Sequence, residues 1–320
     1  MDAELEKGIK SAVESAAKES STFSSARLVD LGWDELLADD PETAVRALFE
    51  ESGNKLISSS ALDSVVLAAL DAPWSWTTTR VGYPRPGTES ASAADGRIDA
   101  VLLADVEGIE QVVVPLETAD GIKLYVVALA DGEATPIGGI DKALGLYRFT
   151  ADSSKAVLAE GALADGWPAA LLVARRAVSH QIIGLSHKMM DIAVDHVTVR
   201  HQFGRPLGAN QAIQHRLADA KVEISAAETF ADESWATATQ LSTSAAKGQA
   251  SRAIELMAKH GQQVLGGIGY TWEHDWQHYV RRGQFLSTFL GSADECEHEV
   301  GRLLIESGIT RIGNLIGAAS

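Results

Sequence analysis

Hydrophobic periodicity changes twice along the 320 residues, and that order constrains the fold more than any single motif. Residues 1–71 read as helical, with Ala-rich turns followed by AVRALFEESG, whose apolar positions recur three and four apart. Within this block Asp39-Asp40-Pro41 supplies a break and then a helix start, since Pro is tolerated in a first turn and Asp can accept from first-turn amides. Residues 72–157 change character. Pro73, Pro84, Pro86 and Gly87 punctuate the entry, and the β-rich runs IDAVLLAD, EQVVVPLE and IKLYVVAL follow, separated by turns such as Asp120-Gly121 and Asp131-Gly132. This spacing predicts a small antiparallel sheet or barrel. No helix-length pattern interrupts the strands, which argues against a doubly wound parallel sheet. Residues 158–320 are helical again. One long helix runs from Pro168 to Val199 and stops at Phe203-Gly204-Arg205-Pro206. Asn210 caps a second, a third spans about Thr243 to Leu265 before Gly266-Gly267, a short one follows Thr271, and another covers about Ala293 to Ile305. The expected class is α+β, mainly α, with a helical bundle last.

Composition narrows the function. The chain is 46% hydrophobic and can bury a full core. No apolar stretch approaches the roughly 20 residues of a membrane-spanning helix. The opening MDAELEKGIK lacks the basic and then apolar blocks of a secretion signal, so a cytoplasmic location is the expectation. A formal charge of −17 argues against nucleic acid, whose phosphates need clustered Lys and Arg. The imbalance is uneven: residues 1–150 hold 12 Lys and Arg against 26 Asp and Glu, whereas the rest is close to neutral. A phosphorylated ligand therefore suits the second half better. The single cysteine, Cys296, stands among Asp294, Glu295 and Glu297, where a thiolate is disfavoured, and reads as structural filler. His274 and His278 have helical metal-ligand spacing but no HExxH context and no evident third ligand, so no metal is expected.

Two segments carry the chemical argument: RHQFGRPLGANQAIQHRLADAKVE, residues 200–223, and QQVLGGIGYTWEHDWQHYVRR, residues 262–282. The glycines of the second follow a helix and lack the spacing of a dinucleotide fingerprint, which excludes a Rossmann reading. Together the two segments resemble the carboxyl-terminal helical domain of the acyl-CoA dehydrogenase family, and the helix–β–helix order is similar to that family's three-domain layout. The resemblance implies an amino-terminal helical domain at 1–71, shorter than usual, a middle β-domain at 72–157 and a carboxyl-terminal bundle at 158–320. It implies FAD as cofactor, with Arg200, Gln202, Phe203 and Gln211 gripping the pyrophosphate and adenosine portion. A guanidinium suits that task because its planar fork donates charge-assisted bonds to phosphate oxygens. It also implies that Gln263 bonds the same portion and that Gly266 and Gly267 let backbone pass close to it. Tyr270 and Trp272 read as packing aromatics.

The family's reaction needs a carboxylate to take a proton beside a thioester carbonyl, so that group's position is a geometric requirement. Most relatives place it on the loop after the GGxGY helix, which falls here on Leu290; a smaller branch uses the first long helix of the last domain, here Ala174. Neither side chain accepts a proton. The Thr/Ser-rich segment and WITN-like strand that line the flavin ring in relatives have no counterpart between Trp74 and Thr150. The chain thus resembles the short, base-less subunit of actinobacterial sterol-side-chain acyl-CoA dehydrogenases of α2β2 type. That resemblance implies a longer catalytic partner holding most of the acyl-CoA site, and an electron-transferring flavoprotein as acceptor. Two alternatives stay open: a self-sufficient dehydrogenase with its base relocated to Glu273 or Asp275, and a helical scaffold without flavin.

Overall fold

Asp40 and Pro41 act as their order predicts: the Asp40 carboxylate accepts from the Thr43 amide at 3.1 Å, and Pro41 begins a helix. The computed structural model describes residues 3–92, 95–103, 106–202 and 204–308. Its first block contains helices α1 (Ala3–Ala17), α2 (Ser25–Asp30), α3 (Trp33–Asp39), α4 (Pro41–Asn54) and α5 (Ala61–Ala69). Two-residue strands β1 (Thr22–Phe23) and β2 (Ser58–Ser59) pair in parallel among them.

The middle strands are β3 (Thr79–Val81), β4 (Arg97–Leu103), β5 (Gln111–Thr118), β6 (Gly121–Ala128), β7 (Gly132–Pro136), β8 (Leu146–Asp152) and β9 (Val157–Leu158). They form two sheets, ordered β3-β5-β6-β9 and β4-β8-β7. The antiparallel expectation holds for all these pairs except β3–β5, which run parallel. The physical reason is that β4 leaves for the other sheet, so the chain between β3 and β5 is a crossover, which permits parallel pairing. Strand β5 is buried on both faces. Its Val112, Val114 and Leu116 pack with Ile98, Leu102 and Phe149 in a core of the β block, whereas Val113 joins the helical core. That double burial accounts for the unbroken apolar run in EQVVVPLE.

The last block holds α6 (Trp167–Val199), a hairpin of β10 (His201–Gln202) and β11 (Arg205–Pro206), α7 (Gln211–Thr237), α8 (Gln240–Leu265), α9 (Trp276–Thr288) and α10 (Ala293–Glu306). Asn210 caps α7 by accepting from the Ala212 amide. Helix α8 starts before the expected Thr243 because Thr239 and Ser242 form a reciprocal capping box. Among the described residues no helix is long and apolar enough to cross a membrane.

The first and last blocks meet where α4 crosses α6 backbone to backbone. A Cβ on Gly184 would lie 1.9 Å from the Glu50 carbonyl oxygen, and one on Gly53 would lie 2.1 Å from that of Gln181. Gly184→Ala is therefore expected to lower stability by about 1–3 kcal/mol through overpacking. Urea unfolding checks this, and an unmoved midpoint would contradict the close crossing. Beside this crossing one apolar core runs from Ile9 and Trp33 through Leu48 and Ile183 to Met257 and Phe289.

Candidate functional site

Helix direction decides which candidate residues can meet. Helices α6, α7 and α8 alternate in direction, so the end of α6, the start of α7 and the end of α8 lie together. Two contacts fix this end: Arg216 Nη1 sits 3.3 Å from His260 Nδ1, and the Leu207 amide donates to the Arg200 carbonyl at 2.8 Å. His196, one turn before Arg200, has its pKa lowered first by burial and then by the neighbouring charges of His274 and Arg200. The residues from both sequence segments therefore gather at one end of the bundle.

Arg200 ends α6, and Gln202 lies in β10; both are exposed. Gln211 opens α7, Gln263 lies in the last turn of α8, and both are exposed. Among the described residues no hydrogen bond or ion pair engages these four side chains, so their donors face solvent. Phe203 lies outside the described residues. Gly266 ends α8 with φ +60°, a left-handed turn that favours glycine, and a Cβ at Gly266 or Gly267 would meet nothing within 4 Å. The open space at both glycines, flanked by unpaired donors, fits an extended nucleotide laid along the surface. The residue that ties this turn to the body is Gln262: its Nε2 donates to the Gly266 carbonyl at 3.1 Å, and its Oε1 accepts from Trp276 Nε1 at 3.0 Å. Sequence reading passed over Gln262, since nothing in QQ says which amide turns inward.

Tyr270 and Trp272 correct the sequence expectation. They are 77% and 68% exposed rather than packed. The chain leaves α8 through the Gly266 turn and a 3-10 segment to Tyr270, which carries both rings outward, and the interior place is taken by Trp276. Trp272 instead stacks beneath Arg281, whose guanidinium carbon is 4.2 Å from the ring centroid.

The two positions where the resemblance would put a base lie on the other side of this bundle. Ala174 is buried in α6, and Leu290 is buried just after α9. Arg175 joins them: its Nε donates to the Leu290 carbonyl at 2.9 Å, and its Nη1 donates to Ser244 Oγ at 3.0 Å and Glu299 Oε2 at 2.6 Å. Lys247 Nζ holds the same loop through the carbonyls of Gly291 at 2.7 Å and Ser287 at 3.2 Å. Burial pushes the Lys247 pKa down to about 8, while the carbonyls at the end of α9 favour its cation. These bonds hold Leu290 at φ +61°, a conformation that costs a branched residue about 1–2 kcal/mol. Cys296 is buried against this loop, and burial raises its thiol pKa, as expected of filler.

Beside Leu290 and one turn beyond Ala174 is a cavity of about 30 Å³. Phe49, Leu62, Val178, Phe285, Leu286 and Phe289 give it apolar walls, with Ser52, Ser58, Ser59 and Gln181 as its polar members. No acid or base lines it. Glu273 and Asp275 are exposed, Asp275 preceding α9. A Glu50–His180 pair resembles a proton relay, with His180 Nδ1 2.9 Å from Glu50 Oε1. Its other nitrogen accepts from Trp235 Nε1 at 3.0 Å, which places the proton on Nδ1 and leaves neither ring nitrogen free. Among the described residues no group of three or more His, Cys, Asp or Glu could hold a metal ion.

With this geometry in place, residues 165–304 match the family model described as acyl-CoA dehydrogenase, C-terminal domain. The acyl-CoA dehydrogenase IpdE2 of Mycobacterium tuberculosis is 32% identical over 178 residues, which are 53% of this chain and 54% of that protein. The match thus spans about half the length of that curated relative. Among solved structures, a variant of the Tcur3481–Tcur3483 steroid ACAD superposes with a TM-score of 0.76 at 21% identity, covering 96% of this chain and 98% of that one. The ChsE4–ChsE5 complex from Mycobacterium tuberculosis gives 0.75 at 20% identity, covering 95% and 96%. Residues 165–304 match the carboxyl-terminal domain of the acyl-CoA dehydrogenase family, and the chain has that family's fold along its length.

Proposed function

We propose that the chain is the non-catalytic subunit of a heteromeric acyl-CoA dehydrogenase. In this reading a longer partner provides the proton-abstracting carboxylate and most of the acyl-CoA site, in an α2β2 assembly. The divisions at 1–71, 72–157 and 158–320 are its proposed domains. The observation that carries the reading is the cavity beside the expected base positions, which neither Ala174 nor Leu290 lines. It holds about 30 Å³ and no titratable side chain, against roughly 300 Å³ or more for a ligand pocket. Acyl-CoA has no room there, and no group there takes its proton.

What remains is the other end of the bundle. Arg200, Gln202, Gln211 and Gln263 have free donors, and Gly266 and Gly267 leave space, so these residues would hold the pyrophosphate and adenosine portion of FAD, a role the resemblance also gives to Phe203. When bound, FAD supplies the hydride acceptor of the dehydrogenation. Arg200 would offset phosphate charge, and the amides would orient the nucleotide. The two structural relatives, the Tcur3481–Tcur3483 steroid ACAD and the ChsE4–ChsE5 complex, are each named for two chains, and this supports a heteromer acting on a steroid-side-chain acyl-CoA. An electron-transferring flavoprotein would then reoxidise the assembly.

The test is flavin content. Co-expressed with its longer partner, the chain should yield yellow protein with one FAD per heterodimer, whereas the chain alone should be colourless. Arg200→Ala in the complex should weaken FAD retention about tenfold, the loss of one charge-assisted bond, without loss of helix signal. Unchanged flavin in that variant would favour the scaffold reading, and one flavin per chain in a pure homo-oligomer would overturn the proposal.

A further inference from the structure

Arg175 and Arg176 are adjacent on α6 and both buried, yet their surroundings differ. Arg175 has a carboxylate, a hydroxyl and a carbonyl. Arg176 has only the face of Trp235, with its guanidinium carbon 5.0 Å from the ring centroid. The residue is 7% exposed, and its Nε is buried with no hydrogen-bond partner. Among the described residues no ion pair reaches it. Glu50 is engaged with His180, the residue one turn further along α6, and Asp232 with Arg46. Burial without a counter-charge also lowers the Arg176 pKa from the ordinary arginine value.

An arginine buried without an anion is costly, because the desolvation of the cation is not repaid by attraction to a partner. A stack on indole recovers only part of it. Buried polar groups in folded proteins are ordinarily satisfied, and no group among the described residues supplies an acceptor to this Nε. The guanidinium fork selects its chemistry, since two parallel N–H donors match the two oxygens of a carboxylate.

We propose that Arg176, seated on Trp235, is a receiving site for a carboxylate that this chain does not supply. The carboxylate is either a side chain of a neighbouring subunit or a free carboxylate anion. The site lies apart from the exposed donors of Arg200 and Gln211, and the inference stands whether or not FAD binds there.

The experiment uses the full chain, with sodium acetate as probe at fixed ionic strength, and reads thermal melting and indole fluorescence. Without acetate, Arg176→Met should melt about 3 °C above the unsubstituted chain, because an uncompensated buried charge has been removed. Acetate should raise the melting temperature and shift the fluorescence of the unsubstituted chain saturably, closing that gap. It should leave Arg176→Met unmoved, and Arg176→Lys, which keeps the charge but not the fork, should respond several-fold more weakly. An acetate response that disappears as protein concentration drives assembly identifies a subunit carboxylate, and one that persists identifies a free anion. Acetate acting equally on the unsubstituted chain and Arg176→Met would overturn the proposal. So would a gain in melting temperature for the methionine variant with no acetate response confined to the arginine chain.

Discussion

Arg282→Ala is expected to destabilise the chain by about 3–5 kcal/mol, the loss that follows when a buried pair is left with one uncompensated charge. Arg282 on α9 is fully buried. Its Nε donates to Asp141 of the β block, its Nη1 to the Ile57 carbonyl at 3.3 Å and its Nη2 to the Leu56 carbonyl at 3.4 Å. One guanidinium thus joins all three sequence blocks. It holds Leu56 at φ +57°, so its removal also releases a strained turn. Urea unfolding should show a large fall in midpoint. Asp141→Asn should be milder than Arg282→Ala, because it keeps a neutral acceptor for the guanidinium. A midpoint within experimental error of the unsubstituted chain would mean that the three-way junction does not form.

Stability should also fall as pH rises from about 4 to about 7, through Asp63. This carboxyl on α5 is fully buried, with Tyr83 Oη donating to its Oδ1 at 3.0 Å and Arg80 Nε 3.7 Å from its Oδ2. Burial pushes its pKa up to about 7, and Arg80, the Tyr83 hydroxyl and the Val81 amide only partly counter this. The folded chain therefore binds the proton more tightly than the unfolded chain, whose value is near 3.9. Below about pH 4 the group is protonated in both states. Between the two values only the folded state keeps the proton, so each further pH unit removes stability; above about 7 the loss is complete. Its size is about 4 kcal/mol. Denaturant unfolding at several pH values should show this slope flattened in Asp63→Asn, a comparison that cancels the self-repulsion of a chain carrying −17. Parallel slopes in the two proteins would remove Asp63 as the cause.

Local chemistry was legible in the residues themselves. Asp40-Pro41, Asn210 and Gly266 each stand where the chain must start or stop a helix, and each does so through bonds to residues within a few positions. The absence of a proton acceptor at Ala174 and Leu290 was equally readable, because it depends on residue type alone. Contacts between distant segments were not. Arg282 and Asp141 are 141 positions apart, and nothing in YVRR distinguishes the arginine that is swallowed from the one that stacks on Trp272. The matched glycines 53 and 184 look like ordinary helix weaknesses until the two helices are laid across each other. The parallel β3–β5 pair was hidden for the same reason, since strand order within a sheet is not written in the strands themselves.

The shared apolar interior has a consequence for inheritance. Because α4 presses its backbone into α6, and Ile9 and Trp33 belong to the same interior as Met257 and Phe289, the matched family region is not a detachable part. Its longest helix has one flank built by the opening fifty residues. Exchange of that region with a relative would have to carry the opening helices along, so the first and last blocks are bound to change together.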